Sequence, residues 1–90
     1  MSAAVQDSAI TLNSSSVPVA LGSNGFQGRA GVTVFNAGPG NIYLGGPAVT
    51  TATGLAVASN ATPVTVSTPE GAALYAVTSA TGTVARIIEF

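Results

Sequence analysis

The side chains with the strongest chemistry in this 90-residue chain are its five charged ones: Asp7, Arg29, Glu70, Arg86 and Glu89. The chain has no His, Cys or Lys. It therefore lacks imidazole and thiolate ligands for a metal, a thiol nucleophile, the base of a serine triad and the amine of a Schiff base. These classes of catalytic and metal site are excluded by composition.

Carboxylate chemistry needs two acids at a fixed separation, as in glycoside hydrolysis. Asp7 lies near the N-terminus, Glu70 in a Pro-Glu-Gly turn and Glu89 next to the last residue. Nothing in these positions indicates that any two of them meet. The sequence predicts a protein that is not an enzyme and needs no cofactor or metal.

Composition also limits the partners. The net charge is −1, and phosphate binding needs several cations on one face, so no nucleic-acid partner is expected. No run approaches the ~20 apolar residues of a membrane span, and residues 1–7 do not resemble a secretory signal. We therefore expect no membrane partner and synthesis in a cytoplasm. With only 6% charged residues, the surface is poorly protected against association, which predicts a bound partner and a homo-oligomer.

The dominant periodicity is two, the pattern of half-buried strands. Eight apolar-alternating runs are separated by short turns rich in Gly, Pro and Asn, which favours an all-β fold. The runs lie at residues 9–13, 17–21, 32–35, 42–44, 55–57, 64–66, 74–78 and 84–90. We predict a small antiparallel β-sandwich or barrel, jelly-roll-like, of about 7–9 short strands.

Two local features refine this prediction. Pro18 marks its run as an edge strand or a bulge. Thr68-Pro69-Glu70 could start a helix, although a β-turn with Pro69 second and Gly71 fourth agrees better with the strand composition that follows. The expected organisation is a flexible N-terminal arm at 1–7 and a single domain at 8–90.

Two segments are candidate partner contacts. The Gly-rich loop at 22–31 could present Phe26, Gln27 and Arg29 to a partner, because an exposed Phe beside an Arg is typical of an interface anchor; the alternative is a plain mobile loop. The arm at 1–7, with Val5 and Asp7, could become ordered on a neighbouring protein.

The last strand carries the candidate subunit interface: Arg86, Ile88 and Phe90. Arg86 could instead pair with an acid or extend into solvent. Tyr43 and Tyr75 are expected in the walls of the sandwich with their hydroxyls at the rim, and a sugar-binding platform is the functional alternative.

Residues 32–90 resemble a known group of proteins. The resemblance rests on Val32-Thr33-Val34-Phe35-Asn36-Ala37-Gly38, Ile42-Tyr43-Leu44-Gly45-Gly46, Val49-Thr50-Thr51-Ala52-Thr53-Gly54-Leu55, Leu74-Tyr75-Ala76-Val77 and the strand at 83–90. This succession resembles small virion structural proteins of tailed bacteriophages, most of all capsid decoration (cement) proteins. Residues 1–31 match nothing in that group.

The resemblance implies a decoration protein on the capsid exterior of a virion. It implies the major capsid protein of the same phage as the partner, and it favours trimers because shells offer three-fold positions. Two other functions remain open: a tail or head–tail connector subunit, and a soluble carbohydrate-binding module of the jelly-roll kind.

Overall fold

A computed structural model describes residues 6–22, 29–69 and 72–90. Val5, Phe26, Gln27 and Glu70 lie outside these ranges. Each of the eight predicted runs forms a strand, and the described part of the chain contains no helix. The strands are β1 (Gln6–Leu12), β2 (Val19–Leu21), β3 (Val32–Asn36), β4 (Ile42–Gly45), β5 (Leu55–Val57), β6 (Val64–Val66), β7 (Leu74–Thr78) and β8 (Thr83–Glu89).

The strands form two four-stranded antiparallel sheets. Their orders are β1-β8-β3-β6 in the first sheet and β2-β7-β4-β5 in the second. β1 pairs with β8, β2 with β7, β3 with β6 and β4 with β5. The first half of the chain therefore pairs with the second half in reverse order, as the two arms of one long hairpin would. This is the strand order of an eight-stranded jelly roll. The predicted all-β sandwich is confirmed, and because the two sheets stay separate the barrel alternative is wrong.

The core lies between the two sheets. Alternate residues of each strand point inward, so β3 buries Val32, Val34 and Asn36 while Thr33 and Phe35 stay half-exposed. Ile42 and Ile87 come from different sheets and are almost completely buried in the same cluster. Burial of these branched side chains is the main favourable contribution to folding.

A buried asparagine organises one end of this core. Nδ2 of Asn36 donates to the carbonyl oxygens of Gly40 and Val57, each at 2.7 Å, and Oδ1 accepts from the backbone N–H of Gly38 at 2.7 Å. Asn36 is fully buried. Its side chain therefore holds the turn after β3 against the end of β5.

Two local predictions can be compared with the structure. β2 begins directly after Pro18 and lies at the edge of the second sheet, so the edge assignment is confirmed. Near Thr68 the structure has no helix among the described residues; the backbone N–H of Ala72 donates to the carbonyl of Pro69 at 3.0 Å. No helix in the described part of the chain is long and apolar enough to cross a membrane.

The two predicted flexible segments need correction. The arm cannot extend to residue 7, because β1 begins at Gln6 and Asp7 pairs with Ile88 of β8. The loop cannot extend to residue 31, because the backbone N–H of Gly31 donates to the carbonyl of Phe90 and the N–H of Phe90 donates back to Gly31. Backbone pairing with β8 orders Asp7, and backbone hydrogen bonds to Phe90, the residue after β8, order Gly31.

Candidate functional site

The outer surface of the first sheet is the most accessible face of the sandwich. Asp7 of β1, Ile88 of β8 and Thr33 of β3 are directly opposite one another across three strands. Ala9, Arg86 and Phe35 form the next row. Opposite residues in neighbouring strands share a face, so both rows point away from the core. We call these six residues the open face.

A groove of about 500 Å³ follows the open face. Its lining includes three charged or polar residues of the open face, Asp7, Arg86 and Thr33, together with Ser8. The apolar lining residues are Ala9, Phe35, Pro63, Ile87 and Ile88. Ile88 is 46% exposed and Phe90, next along the same side of the chain, is 41% exposed. The groove can therefore offer a partner both apolar area and two opposite charges.

The charges on this face have no partner within the described chain. Among residues 6–22, 29–69 and 72–90, neither Asp7 nor Arg86 makes an ion pair or a side-chain hydrogen bond, and both are exposed. They lie diagonally across the β1–β8 ladder, because Asp7 is opposite Ile88 and Arg86 is opposite Ala9. Both charges are available to a bound molecule.

The outer surface of the second sheet is closed by comparison. Val77 points outward there but is fully buried; Tyr43 is opposite it, and Tyr75 lies two residues before it on β7. Val49 also covers this surface: a Cβ on Gly45 would lie 2.7 Å from its Cγ2. Tyr43 and Tyr75 are half-buried and act as wall residues on this outer surface. The first sheet therefore carries the better candidate for a binding face.

Arg29 contradicts the sequence-based expectation most clearly. As a candidate partner contact it should project from the Gly-rich loop, but it is only 3% exposed. Its Nη1 forms an ion pair with Oε2 of Glu89 at 2.9 Å, and its Nε donates to the carbonyl of Thr68 at 2.8 Å. Nη2 donates to the carbonyls of Pro69 and Ala72. The hydrogen-bond donors of this buried guanidinium are occupied by groups of the same chain. Arg29 is therefore not available as a partner contact.

The carboxylate of Glu89 lies close to both Gly22 and Arg29. Gly22 has a φ of +77°, and a Cβ there would lie 2.7 Å from the carboxyl carbon of Glu89. The same carboxylate accepts from Arg29. Gly22 and Arg29 therefore both lie against the end of the last strand.

The structure brings together contact residues that the sequence predicts in two separate places. The sequence predicts Asp7 in a flexible arm and Arg86 and Ile88 at a subunit interface, but all three residues line one groove. Thr33 and Phe35 of that groove were missed. The signal for them was present, because they alternate with the apolar Val32 and Val34 and must share the opposite face.

Comparisons with protein-family models, with curated proteins and with solved structures found no match. The chemistry of the site must therefore be inferred from its residues. Within the described ranges, no group of three acidic side chains lies where it could hold a metal ion. The arrangement consists of an apolar groove flanked by one acid and one base, and it is suited to binding a surface.

Proposed function

We propose that this chain is a structural protein of a tailed-bacteriophage particle that binds the outer surface of the capsid and stabilises the shell. The observation that carries the proposal is the contrast between the two sheets. The open face exposes Ile88 beside Arg86 and Asp7, whereas the other sheet buries its outward-pointing Val77. A decoration protein needs one face for the shell and another that does not associate.

The side chains of the open face supply binding energy of a suitable size. Full burial of a large apolar side chain contributes about 1.5–3 kcal/mol, and Ile88, which is 46% exposed, keeps roughly half of that for a partner. A groove that contains Asp7 and Arg86 adds orientation, because charges select the register of a complex more than its affinity. A ligand that binds only the assembled shell stabilises it in proportion to its occupancy and affinity.

Two features of the sequence support the same function. The chain has no His, Cys or Lys, so the common catalytic groups are missing while a contact surface is present. The strands β3 to β8 are also the part of the chain that resembles small phage virion proteins. The jelly roll itself is used by capsid proteins and by lectins, so the fold alone does not select between a virion and a sugar-binding function.

Copy number tests the proposal directly. We expect gradient-purified virions from the source to contain hundreds of copies of the chain by quantitative mass spectrometry. A dozen copies or fewer would move the chain to the tail or the head–tail connector. Absence from particles, with binding on a glycan array, would favour the carbohydrate-binding module.

A pair of matched variants tests which face binds. Ile88→Asp places a charge on the open face and should reduce occupancy on purified heads at least tenfold. Leu55→Asp is the control, because Leu55 is 57% exposed but lies on β5 at the edge of the other sheet. Equal binding by the two variants would contradict the assignment of the open face to the shell.

A further inference from the structure

The edges of the two sheets are protected unequally. Four strands lie at edges: β1 and β6 in the first sheet, β2 and β5 in the second. β2, β5 and β6 have three residues each, and Pro18 and Pro63 directly precede two of them. Short edge strands and nearby prolines are how soluble proteins prevent pairing between sheets. β1 has seven residues and neither protection.

The edge of β1 that faces away from β8 can accept another strand. Within the described chain β1 pairs only with β8, and it contains no proline. Ser8 is on the core side of the sheet, opposite the buried Ile87, yet it is exposed, and Ile10 on the same side is half-buried. Among the described residues no other strand pairs with this edge, and a strand added there would cover Ser8 and Ile10.

Charge decides which strand fits. We propose that a second copy of this chain pairs along β1, with its own β1 antiparallel and Ser8 facing Ser8 across a two-fold axis. In this register Asp7 of each copy is opposite Ala9 of the other. Because Ala9 is itself opposite Arg86, the row across the outer surface becomes Arg86, Ala9 and Asp7 of the second copy.

This row joins the two charges that make no ion pair with the described residues of their own copy. Two strand spacings of about 4.8 Å put the backbones of Arg86 and the second copy's Asp7 roughly 10 Å apart. Ala9 between them is small, so the long arginine side chain can lie over it and reach the carboxylate. The two-fold axis produces this ion pair twice. Isologous pairing of this kind is the commonest way in which soluble proteins form dimers.

The dimer has a single continuous sheet of eight strands, β6-β3-β8-β1 followed by the same strands of the second copy in reverse order. The two open faces then lie side by side on one surface. This arrangement is two-fold, whereas the resemblance to decoration proteins favours trimers, and the oligomeric state in solution distinguishes the two. It does not depend on the proposed function, because it requires only the free edge and the two charges.

Cysteine cross-linking tests the register. The chain has no cysteine, so Ser8→Cys introduces a single thiol. Opposite residues of an antiparallel pair have Cα atoms about 4.5–5.5 Å apart, within the range for a disulfide. Mild oxidation of the full chain should convert most of Ser8→Cys to a covalent dimer. Thr11→Cys is the control: it is exposed on the same strand but would be about 20 Å from its counterpart. Equal cross-linking of both variants would overturn the register.

Charge reversal tests the ion pair. Asp7→Arg leaves two positive charges on the face, and Arg86→Asp leaves two negative ones. Each variant alone should dimerise at least tenfold more weakly than the parent by sedimentation equilibrium, and an equimolar mixture of the two should recover dimers that contain one of each. Ala56→Arg, on the exposed edge strand β5, should leave the parent dimer unchanged.

The outcomes separate this inference from the proposed function. A parent chain that is monomeric at all concentrations, or a trimer, would overturn the β1 pairing whatever its occupancy on heads. A dimer with the expected cross-link that does not bind heads would leave the pairing intact and contradict only the decoration function. Circular dichroism of each variant establishes that it is folded before the dimer is measured.

Discussion

Nη1 of Arg29 lies 2.9 Å from Oε2 of Glu89, and both side chains are almost fully excluded from solvent. Arg29 lies near the end of the Gly-rich loop and Glu89 ends β8, so the ion pair joins parts of the chain that are 60 positions apart. A charge buried in this way is costly unless it is paired and hydrogen-bonded. The pair therefore fixes where the last strand lies.

Removing one partner of this pair should be severe. Arg29→Ala leaves a buried carboxylate without its cation, and the expected loss of unfolding free energy is about 3–5 kcal/mol. A chain of this size should then melt more than about 10 °C lower. Arg86→Ala is the matched control, because Arg86 is the only other arginine and is exposed. At the same dilute concentration it should change stability by less than about 1 kcal/mol. Similar thermal shifts for both variants would contradict a structural role for Arg29.

Alanine substitutions at two glycines distinguish the cost of backbone strain from the cost of a clash with Glu89. Gly22 and Gly82 have φ values of +77° and +81°, so alanine at either position costs roughly 1–2 kcal/mol. A Cβ at Gly82 would meet nothing within 4 Å, whereas at Gly22 it would meet the Glu89 carboxylate at 2.7 Å. Gly22→Ala should therefore be more destabilising than Gly82→Ala by at least about 1 kcal/mol in urea unfolding. Equal midpoints would show that Glu89 moves freely away.

The neighbouring isoleucines of β8 should respond in opposite ways. Ile87 is 1% exposed in the core and Ile88 is 46% exposed on the open face. Ile87→Ala should cost about 2–5 kcal/mol, because it removes transfer energy and leaves a cavity. Ile88→Ala should cost less than about 1 kcal/mol in the isolated chain while weakening binding through the open face. Thermal unfolding of both variants measures the first difference, and the reverse order would contradict the register of β8.

Asn36 should be the most sensitive of the uncharged polar residues. Asn36→Ala leaves two carbonyl oxygens and one N–H without their present partner, at about 1–3 kcal/mol for each buried group that finds no substitute. Asn13→Ala is the control, because Asn13 is exposed and its Oδ1 accepts one hydrogen bond from Gly82 at 3.0 Å. Its unfolding free energy should change by less than about 1 kcal/mol. A small effect at Asn36 in urea unfolding would indicate that water replaces the amide.

Much of the fold could be predicted from local pattern. All eight runs with period two became strands, because alternation reports which side chains a pleated strand can bury. Pro18 predicted an edge strand correctly, since proline cannot donate a ladder hydrogen bond. The binding face could be predicted less well. On β8 each face carries one isoleucine and one charged residue, so the sequence does not indicate that Ile87 and Glu89 point inward.

The sequence by itself determined the secondary structure and excluded the common catalytic groups, because both depend on residue types and near neighbours. The tertiary structure decided which strands pair, and this pairing decided which charged side chains are exposed and which are buried. Pairing of β1 with β8 put Asp7 opposite Ile88, and the end of β8 took Arg29 out of solvent. These contacts join residues 60 to 81 positions apart, and backbone periodicity carries no information over such distances.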